Sequence, residues 1–335
     1  MTTCSLDSDL DDILAQTKNL WDDLRGARLF ITGGTGFFGC WILESFLKAN
    51  RELGLGAQAV VLTRDESSFR KRRAHLSGRP ELSFLSGDVR SFDFPKGNFT
   101  HVIHAATEAN APRVFDFAAA CGAKSLLLTS SGAVYGRQPA DMTHIPEDYP
   151  GSLEQNAAKL AYAEDKRSAE RLGEAAARGL EIKIARCFAF VGPYMPFDGS
   201  FAVGNFIRDA THGRAIEISG DGTPCRSYLY AADLAVWLWT ILLRGQNLRP
   251  YNVGSEERVT IAELADAVKS VVNPKLPVHI KQKPREGAPV EQYVPSTQRA
   301  REELGLRRTV DLPEAIGRTA KWLHENLACN ARFSW

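Results

Sequence analysis

The sequence lacks the features that mark nucleic-acid-binding, membrane and secreted proteins. Its 335 residues carry a formal net charge of only +1, and like charges never form a long run. The chain therefore has no electrostatic footprint for nucleic acid or for an anionic membrane. No apolar stretch is long enough to cross a bilayer, and the N-terminus has neither the basic start nor the apolar core of a signal peptide. We expect a cytoplasmic protein that acts on a small molecule.

Cysteine is scarce and scattered. No Cys-x-x-Cys pair occurs, so the pattern disfavours both a disulfide framework and a zinc site. We expect reduced thiols in the core and no metal site. The cysteines are Cys4, Cys40, Cys121, Cys187, Cys225 and Cys329.

Strand-like and helix-like stretches alternate after residue 27. This pattern predicts an α/β fold with a doubly wound parallel sheet, the Rossmann architecture. Helical patterns lie at 38–50 and 156–178. After residue 190 the proline and glycine density rises and the periodicity weakens. The predicted strands are 27–32, 58–63, 82–87, 100–105, 124–130 and 181–186.

The predicted organisation has three parts. Residues 1–26 form a helical extension, because apolar side chains between Leu10 and Leu24 recur at three- and four-residue spacings. We expect it to pack on the domain or on a second subunit. Residues 27–186 form an NAD(P)-binding Rossmann domain. Residues 187–335 form mainly a smaller substrate-binding domain, from which some segments return to the Rossmann domain.

The most informative motif is a glycine-rich turn between a strand and a helix. Gly33 permits the tight turn, Gly36 allows close approach of a ligand, and Gly39 lets the helix pack on the strand. In such a turn, backbone N–H groups at a helix N-terminus bind a pyrophosphate. A turn that binds nothing is the alternative, but the flanking strand and helix favour a dinucleotide. The expected cofactor contacts are Gly33, Thr35, Gly36, Phe37, Phe38 and Gly39.

The end of the second strand indicates which dinucleotide is preferred. NAD sites usually place an acidic residue there for the ribose 2′-hydroxyl, whereas this strand ends in Thr63 and Arg64. The planar guanidinium of Arg64 suits a 2′-phosphate, so NADP is favoured over NAD. Asp65 remains a candidate NAD ligand. The basic residues at 70–73 form either a further phosphate contact or a solvated turn.

Residues that follow the later strands are further candidates, because ligands bind at the carboxyl ends of strands in open α/β sheets. Asp88 and Val89 follow the third strand, where the carboxylate can bind the adenine amine, although a plain turn explains the pair equally well. A hydroxyl-rich segment at 129–136 ends a later strand and contains Ser131.

Tyr162 and Lys166 lie four residues apart in the alanine-rich helix and therefore share a face. A free phenol has a pKa of about 10 and is a poor base at neutral pH. We expect the Lys166 ammonium to favour the ionised phenol and to lower its pKa. A surface pair is the alternative, but of the eight tyrosines only Tyr162 has a lysine four residues later. The preceding nucleotide loop favours a catalytic pair.

In these motifs the chain resembles the extended short-chain dehydrogenase/reductases, specifically the nucleotide-sugar epimerase/dehydratase group. The resemblance covers roughly residues 27–320. Its main motifs are Thr-Gly-x-x-Gly-x-x-Gly at 32–39, Ser-Ser-x-x-Val-Tyr-Gly at 130–136 and Tyr-x-x-x-Lys at 162–166, and the segments 186–193, 220–226 and 251–254 add to them.

The resemblance implies roles for individual residues. Ser131 and Tyr162 would bind the reacting sugar oxygen, and Lys166 would hold the nicotinamide ribose. Arg226 and Arg285 would bind the nucleotide diphosphate of the substrate. The segment expected beside the nicotinamide is His104, Ala105 and Ala106.

The chain also departs from the family pattern. Members that eliminate water carry an acidic pair directly after the catalytic hydroxyl, and the decarboxylases carry a Glu there, whereas this chain has Gly132 and Ala133. Ala189 and Val191 replace the Asn and Tyr of the family segment, so the substrate pocket is altered. Residues 107–124 form a shortened segment, whose helix often contributes to the family's dimer, so a homodimer is only one possibility.

Three hypotheses follow. The leading one is an NADP-dependent reductase of a nucleotide-linked 4-keto sugar, with Tyr162 as proton donor. The second is a nucleotide-sugar C4 epimerase, which would use the same residues but recycle its cofactor. The third is a catalytically silent cofactor-binding protein, because motifs show capacity rather than activity.

Overall fold

Short strands and longer helices alternate along the chain in the computed structural model. It describes residues 6–107, 112–152, 157–177, 179–199, 201–285, 287 and 289–330. The strands are β1 (Arg28–Thr32), β2 (Gln58–Thr63), β3 (Leu82–Ser86), β4 (His101–His104), β5 (Ser125–Ser131), β6 (Glu181–Cys187), β7 (Phe190–Val191), β8 (Ile216–Ile218), β9 (Cys225–Arg226), β10 (Leu229–Tyr230), β11 (Pro250–Val253), β12 (Val259–Thr260), β13 (Val278–Ile280) and β14 (Gln292–Tyr293).

The helices include both long helices expected from the sequence, at 38–50 and 156–178. Two 3₁₀ helices, Lys18–Leu24 and Gly132–Tyr135, accompany them. The α-helices are α1 (Asp7–Thr17), α2 (Phe37–Leu53), α3 (Glu66–Arg72), α4 (Ala74–Ser77), α5 (Pro112–Ala120), α6 (Ala157–Ala176), α7 (Ala202–Thr211), α8 (Ala231–Arg244), α9 (Ile261–Val272), α10 (Gln298–Leu304) and α11 (Leu312–Asn330).

Seven parallel strands form the central sheet, in the order β11-β6-β5-β4-β1-β2-β3. This is the predicted Rossmann-like α/β architecture. The six strands expected from the sequence are all present, and β11 joins them from the later part of the chain. The chain leaves β1 in one direction to β2 and β3, and the next strand, β4, returns to the other side of β1. Ligands bind in the crevice at such a reversal of strand order.

Alternate residues of the strands face two hydrophobic cores. In β1, Leu29 and Ile31 pack in the core that contains α2 and α8, whereas Phe30 faces the core that contains α5. The Phe30 and Phe117 ring centroids are 4.6 Å apart. Helices therefore cover both faces of the sheet, which explains why its strands are almost continuously apolar.

The N-terminal helices pack against α2 and α8 of the same chain. The rings of Trp21 and Trp239 lie 4.8 Å apart, and the Trp239 indole donates a hydrogen bond to Ser45 Oγ at 2.8 Å. Tyr230 donates a hydrogen bond to the buried Asp9 carboxylate at 2.7 Å. Packing on the domain, one of the two expected arrangements, is thus observed. The domain boundaries at 26 and 186 and a homodimer stay predictions.

The later part of the chain adds small sheets beside the sheet edge. Strand β9 pairs with β12 and with β14, which brings Arg226 and Tyr293 together. Helices α7, α9 and α11 pack on one another. No helix within the described ranges combines the length and apolarity needed to span a bilayer.

The cysteines whose side chains are described are free and buried. They match the expected reduced core thiols. Cys4 and the side chain of Cys329 lie outside the described residues, as do residues 108–111 of the shortened segment. The four free thiols are Cys40, Cys121, Cys187 and Cys225.

Candidate active site

The turn between β1 and α2 is built around glycines. Gly33 has a φ of +69°, and a Cβ there would lie 2.3 Å from the Ala105 carbonyl oxygen. A Cβ at Gly39 would lie 2.3 Å from the Gly33 carbonyl oxygen, so glycine lets α2 pack this close to the turn. At Gly36 the nearest atom would be 3.4 Å away, an ordinary contact. Packing therefore does not require glycine at 36, and the expected approach of a ligand to this backbone stays a prediction.

Two cavities meet at this turn. The larger, about 650 Å³, extends past the ends of β5 and β6, and the smaller, about 440 Å³, extends past the ends of β2 and β3. An elongated ligand can occupy both with its centre at the N-terminus of α2, which fits a dinucleotide. Gly33, Gly36, Ala105, Ala106 and Thr107 line both cavities, Thr35 and Val89 line the smaller one, and Phe37 and Phe38 line the larger one.

Ser131, Tyr162 and Lys166 all line the larger cavity. Ser131 ends β5, and the other two lie on α6. The buried Lys166 ammonium donates a hydrogen bond to the Thr129 carbonyl oxygen at 3.1 Å and lies 5.6 Å from the centre of the Tyr162 ring. Tyr162 is 41% exposed, so its side chain is accessible to a ligand.

The pKa of Tyr162 is raised rather than lowered. Partial burial of the phenol is the largest cause, and hydrogen bonding with Ser131 acts in the opposite direction. Burial also lowers the pKa of Lys166. The expectation that Lys166 lowers the pKa of Tyr162 is therefore wrong for this structure, because desolvation dominates and the ammonium is directed to a carbonyl oxygen. Tyr162 is a protonated phenol at neutral pH.

A buried polar network fixes the end of β5. Ser130 Oγ donates a hydrogen bond to Glu170 at 2.5 Å, and Glu170 forms a bidentate ion pair with Arg186 at 2.7 and 3.0 Å. Arg186 donates to the Tyr135 hydroxyl at 2.9 Å, which donates to Asn252 at 2.8 Å. The network joins segments that are far apart in sequence. Glu170 is not predicted from the sequence as a site residue, because the sequence does not distinguish it from the other charged residues of its helix.

The smaller cavity contains the predicted 2′-phosphate residue. Arg64 lines it and is exposed, and it has no hydrogen bond or ion pair with another residue in the described ranges. Asp65 instead caps α3, where its carboxylate accepts a hydrogen bond from the Ser68 N–H at 2.8 Å. Asp88 also lines the cavity, and hydrogen bonds from Arg90 lower its pKa to about 2.

The basic segment at 70–73 makes contacts of its own. Arg70 pairs with Glu66 at 2.5 Å, and the Arg73 guanidinium lies 4.7 Å from the centre of the Tyr194 ring. None of the four basic residues lines either cavity. These contacts favour the interpretation of the segment as a surface turn.

His104 does not contact either cavity with its side chain. The ring is fully buried, and its Nδ1 lies 2.6 Å from Thr32 Oγ1, so it joins β4 to β1. The His104 side chain thus packs inside the protein, and the position of the 104–106 segment beside the nicotinamide stays a prediction. Ala105 and Ala106 lie at the cavities instead.

The two predicted substrate arginines differ. Arg226 lines the larger cavity and pairs with Glu291 at 2.8 Å. Arg285 is exposed and lines neither cavity. Of the two, only Arg226 lies where a cavity-bound diphosphate could reach it.

Two aromatic residues lie beside Ser131, and neither is predicted from the sequence as a site residue. The Tyr293 hydroxyl lies 3.4 Å from Ser131 Oγ, although the residues are 162 positions apart. The Phe188 ring packs on the Tyr293 ring with centroids 4.6 Å apart. A Cβ at Gly132 would lie 2.6 Å from Phe188 Cζ, so the Phe188 ring fills the space of a side chain at 132.

Comparison with known proteins finds a family model and similar proteins. The model of the NAD dependent epimerase/dehydratase family matches residues 109–254. UDP-glucuronic acid decarboxylase 3 from Arabidopsis thaliana is 29% identical to this chain over 311 residues, which cover 86% of each protein.

Two solved structures share the fold. One is a dTDP-glucose 4,6-dehydratase from Streptomyces venezuelae with NAD bound, which has a TM-score of 0.75 and 23% identity and covers 90% of this chain and 98% of that one. The other is a UDP-glucose 4-epimerase from Thermotoga maritima with UDP-glucose, which has a TM-score of 0.72 and 20% identity and covers 90% and 99% of the two chains.

Proposed function

We propose that the chain is a member of the NAD dependent epimerase/dehydratase family, which its similarity supports, and that it reduces a nucleotide-linked 4-keto sugar with NADPH. One observation carries the proposal. Ser131, Tyr162 and Lys166 line the same cavity as Gly33 and Gly36, so a proton donor and a dinucleotide site share one space. The names of the relatives and of their ligands support a nucleotide sugar as the substrate.

Each residue then has a distinct task. Tyr162 donates a proton to the carbonyl oxygen, which its raised pKa permits because the phenol is protonated at neutral pH. Ser131 holds the same oxygen by a hydrogen bond, and Lys166 binds the nicotinamide ribose. The bound nicotinamide would supply the hydride.

Reduction is favoured over dehydration and decarboxylation, which are named for two of the relatives. Dehydration and decarboxylation use acidic side chains directly after the catalytic hydroxyl, and this chain has Gly132 there. The Phe188 ring occupies the space that a Glu at 132 would need. Hydride and proton transfer need no acid at this position.

We also propose NADP as the preferred cofactor, because Arg64 lines the smaller cavity without a hydrogen bond or ion pair to another described residue and Asp65 is engaged as a helix cap. Arg64→Ser should lower the ratio of kcat/KM for NADPH over NADH by about tenfold or more. Arg70→Ser is the matched control, since Arg70 is paired with Glu66, and it should leave the ratio unchanged. An unchanged ratio in Arg64→Ser would refute the assignment.

The test of the reaction is NADPH absorbance in the presence of nucleotide-linked 4-keto-6-deoxy sugars, with the product sugars identified afterwards. Loss of one NADPH for each reduced sugar is expected. Tyr162→Phe should slow this loss by roughly a hundredfold or more while NADPH still binds. No loss with any sugar of the panel would refute the reductase.

The C4 epimerase remains the second candidate, because it would use the same Ser131, Tyr162 and Lys166. It would interconvert two nucleotide hexoses without net loss of NADPH. A protein that binds NADPH but converts neither class of sugar would be the silent cofactor-binding alternative.

A further inference from the structure

Apolar side chains form part of the wall of the larger cavity beside Ser131. Phe188, half-buried, points the edge of its ring at Gly132, where a Cβ would lie 2.6–2.8 Å from three ring carbons. The Tyr293 ring packs on the Phe188 ring with centroids 4.6 Å apart. Ala189 lines the same cavity. The Phe188 ring is therefore packed against both Gly132 and Tyr293 and also lines the cavity.

Several hydroxyl groups beside this wall have hydrogen-bond partners within the protein. Ser130 Oγ donates a hydrogen bond to Glu170 at 2.5 Å, and Thr129 Oγ1 donates to the His104 carbonyl oxygen at 3.1 Å. The Tyr293 hydroxyl lies 3.4 Å from Ser131 Oγ. A substrate hydroxyl placed against the Phe188 ring would lose water there and would gain no hydrogen bond from the ring itself.

We infer that Phe188 is a specificity-determining residue that binds a methyl group on the carbon next to the reacting carbonyl, so that the cavity selects 6-deoxy sugars over their 6-hydroxylated counterparts. The inference rests on the proposed function and names the substrate class of the same site. A methyl group on an aromatic ring gains from burial, whereas an unpaired buried hydroxyl is penalised. Both effects favour the 6-deoxy sugar over its 6-hydroxylated counterpart.

The experiment compares two ligands that differ by one oxygen. Calorimetry with NADP⁺ present would measure Kd for a nucleotide-linked 6-deoxyhexose and for the corresponding hexose. The wild-type protein should bind the 6-deoxy compound about tenfold more tightly or better. Phe188→Ala should reduce this ratio to about threefold or less, because water can then reach the hydroxyl. Phe188→Leu keeps an apolar side chain and should keep the preference.

Phe201→Ala is the matched control. Phe201 lines the same cavity but is 58% exposed, so its loss should change both Kd values by the same factor. Binding of NADPH by each variant shows that the fold is intact. Equal affinity of the wild type for both sugars, or an unchanged ratio in a folded Phe188→Ala protein, would overturn the inference.

The outcomes separate this inference from the proposed function. Consumption of NADPH with a 4-keto-6-deoxy sugar but no preference in binding would retain the reductase and overturn the role of Phe188. If neither sugar binds and no NADPH is consumed, both are overturned.

Discussion

Alanine substitutions at Gly36 and Gly39 separate binding from folding in the glycine turn. A Cβ at Gly39 would lie 2.3 Å from the Gly33 carbonyl oxygen and 2.4 Å from backbone atoms of Gly34. Because the obstacle is backbone, α2 must move away from the turn. Overpacking of this kind costs up to about 3 kcal/mol, and the better helix propensity of alanine returns about 1 kcal/mol. We expect Gly39→Ala to lower the free energy of unfolding by about 2 kcal/mol.

Gly36→Ala should instead leave the stability almost unchanged and weaken the binding of NADPH. Its backbone, with φ −88° and ψ −171°, is allowed for alanine, and the nearest atom to a Cβ lies 3.4 Å away. The free energy of unfolding should change by less than about 0.5 kcal/mol. NADPH affinity should fall by about tenfold or more, because a methyl group would stand where the phosphates approach the backbone.

Urea unfolding without nucleotide measures the stability, and titration of bound-NADPH fluorescence measures the affinity. Gly54→Ala is the control, because Gly54 ends α2 at φ +57° and is distant from the turn in sequence. It should lower stability by about 1 kcal/mol and leave NADPH affinity unchanged. If Gly36→Ala binds NADPH as tightly as the wild type, this turn does not bind the pyrophosphate and the reasoning fails.

Three further outcomes are expected. Tyr162→Phe should lower kcat by roughly a hundredfold to ten-thousandfold with NADPH binding retained. Because the pKa of Tyr162 is raised, wild-type activity should fall only as the pH rises above the ordinary phenol value of about 10. A fall in activity at lower pH would contradict the role of Tyr162 as proton donor. Glu170→Gln should lower the free energy of unfolding by about 3–5 kcal/mol, since Arg186 loses its charged partner. The double variant Glu170→Leu with Arg186→Met should recover much of this lost stability, as measured by urea unfolding. Arg226→Leu should raise KM for the nucleotide sugar by about tenfold, whereas Arg285→Leu should not, and equal effects would show that the cavity lining does not report diphosphate binding.

Several features could be predicted because their signals are local. The six strands of the Rossmann-like sheet follow from apolar runs bounded by turns, and a positive φ at Gly33 follows from its place between strand and helix. The position of Tyr162 and Lys166 on one cavity follows from a four-residue spacing on a helix. The direction of the pKa shift of Tyr162 could not be predicted in this way, because it depends on how much solvent the packed cavity removes from the phenol.

The sequence by itself determined the glycine turn, the alternation of strands and helices, and the residue types at the proposed catalytic positions, because each depends on neighbours in the chain. The tertiary structure decided which charged and aromatic side chains reach the cavities. Arg64 lines the smaller cavity and Arg70 does not, although they lie only six positions apart in the sequence. Arg70 lies on α3, where it forms an ion pair with Glu66. Tyr293 meets Ser131 across 162 residues, since contacts of this kind exist only once β14 has packed beside the sheet.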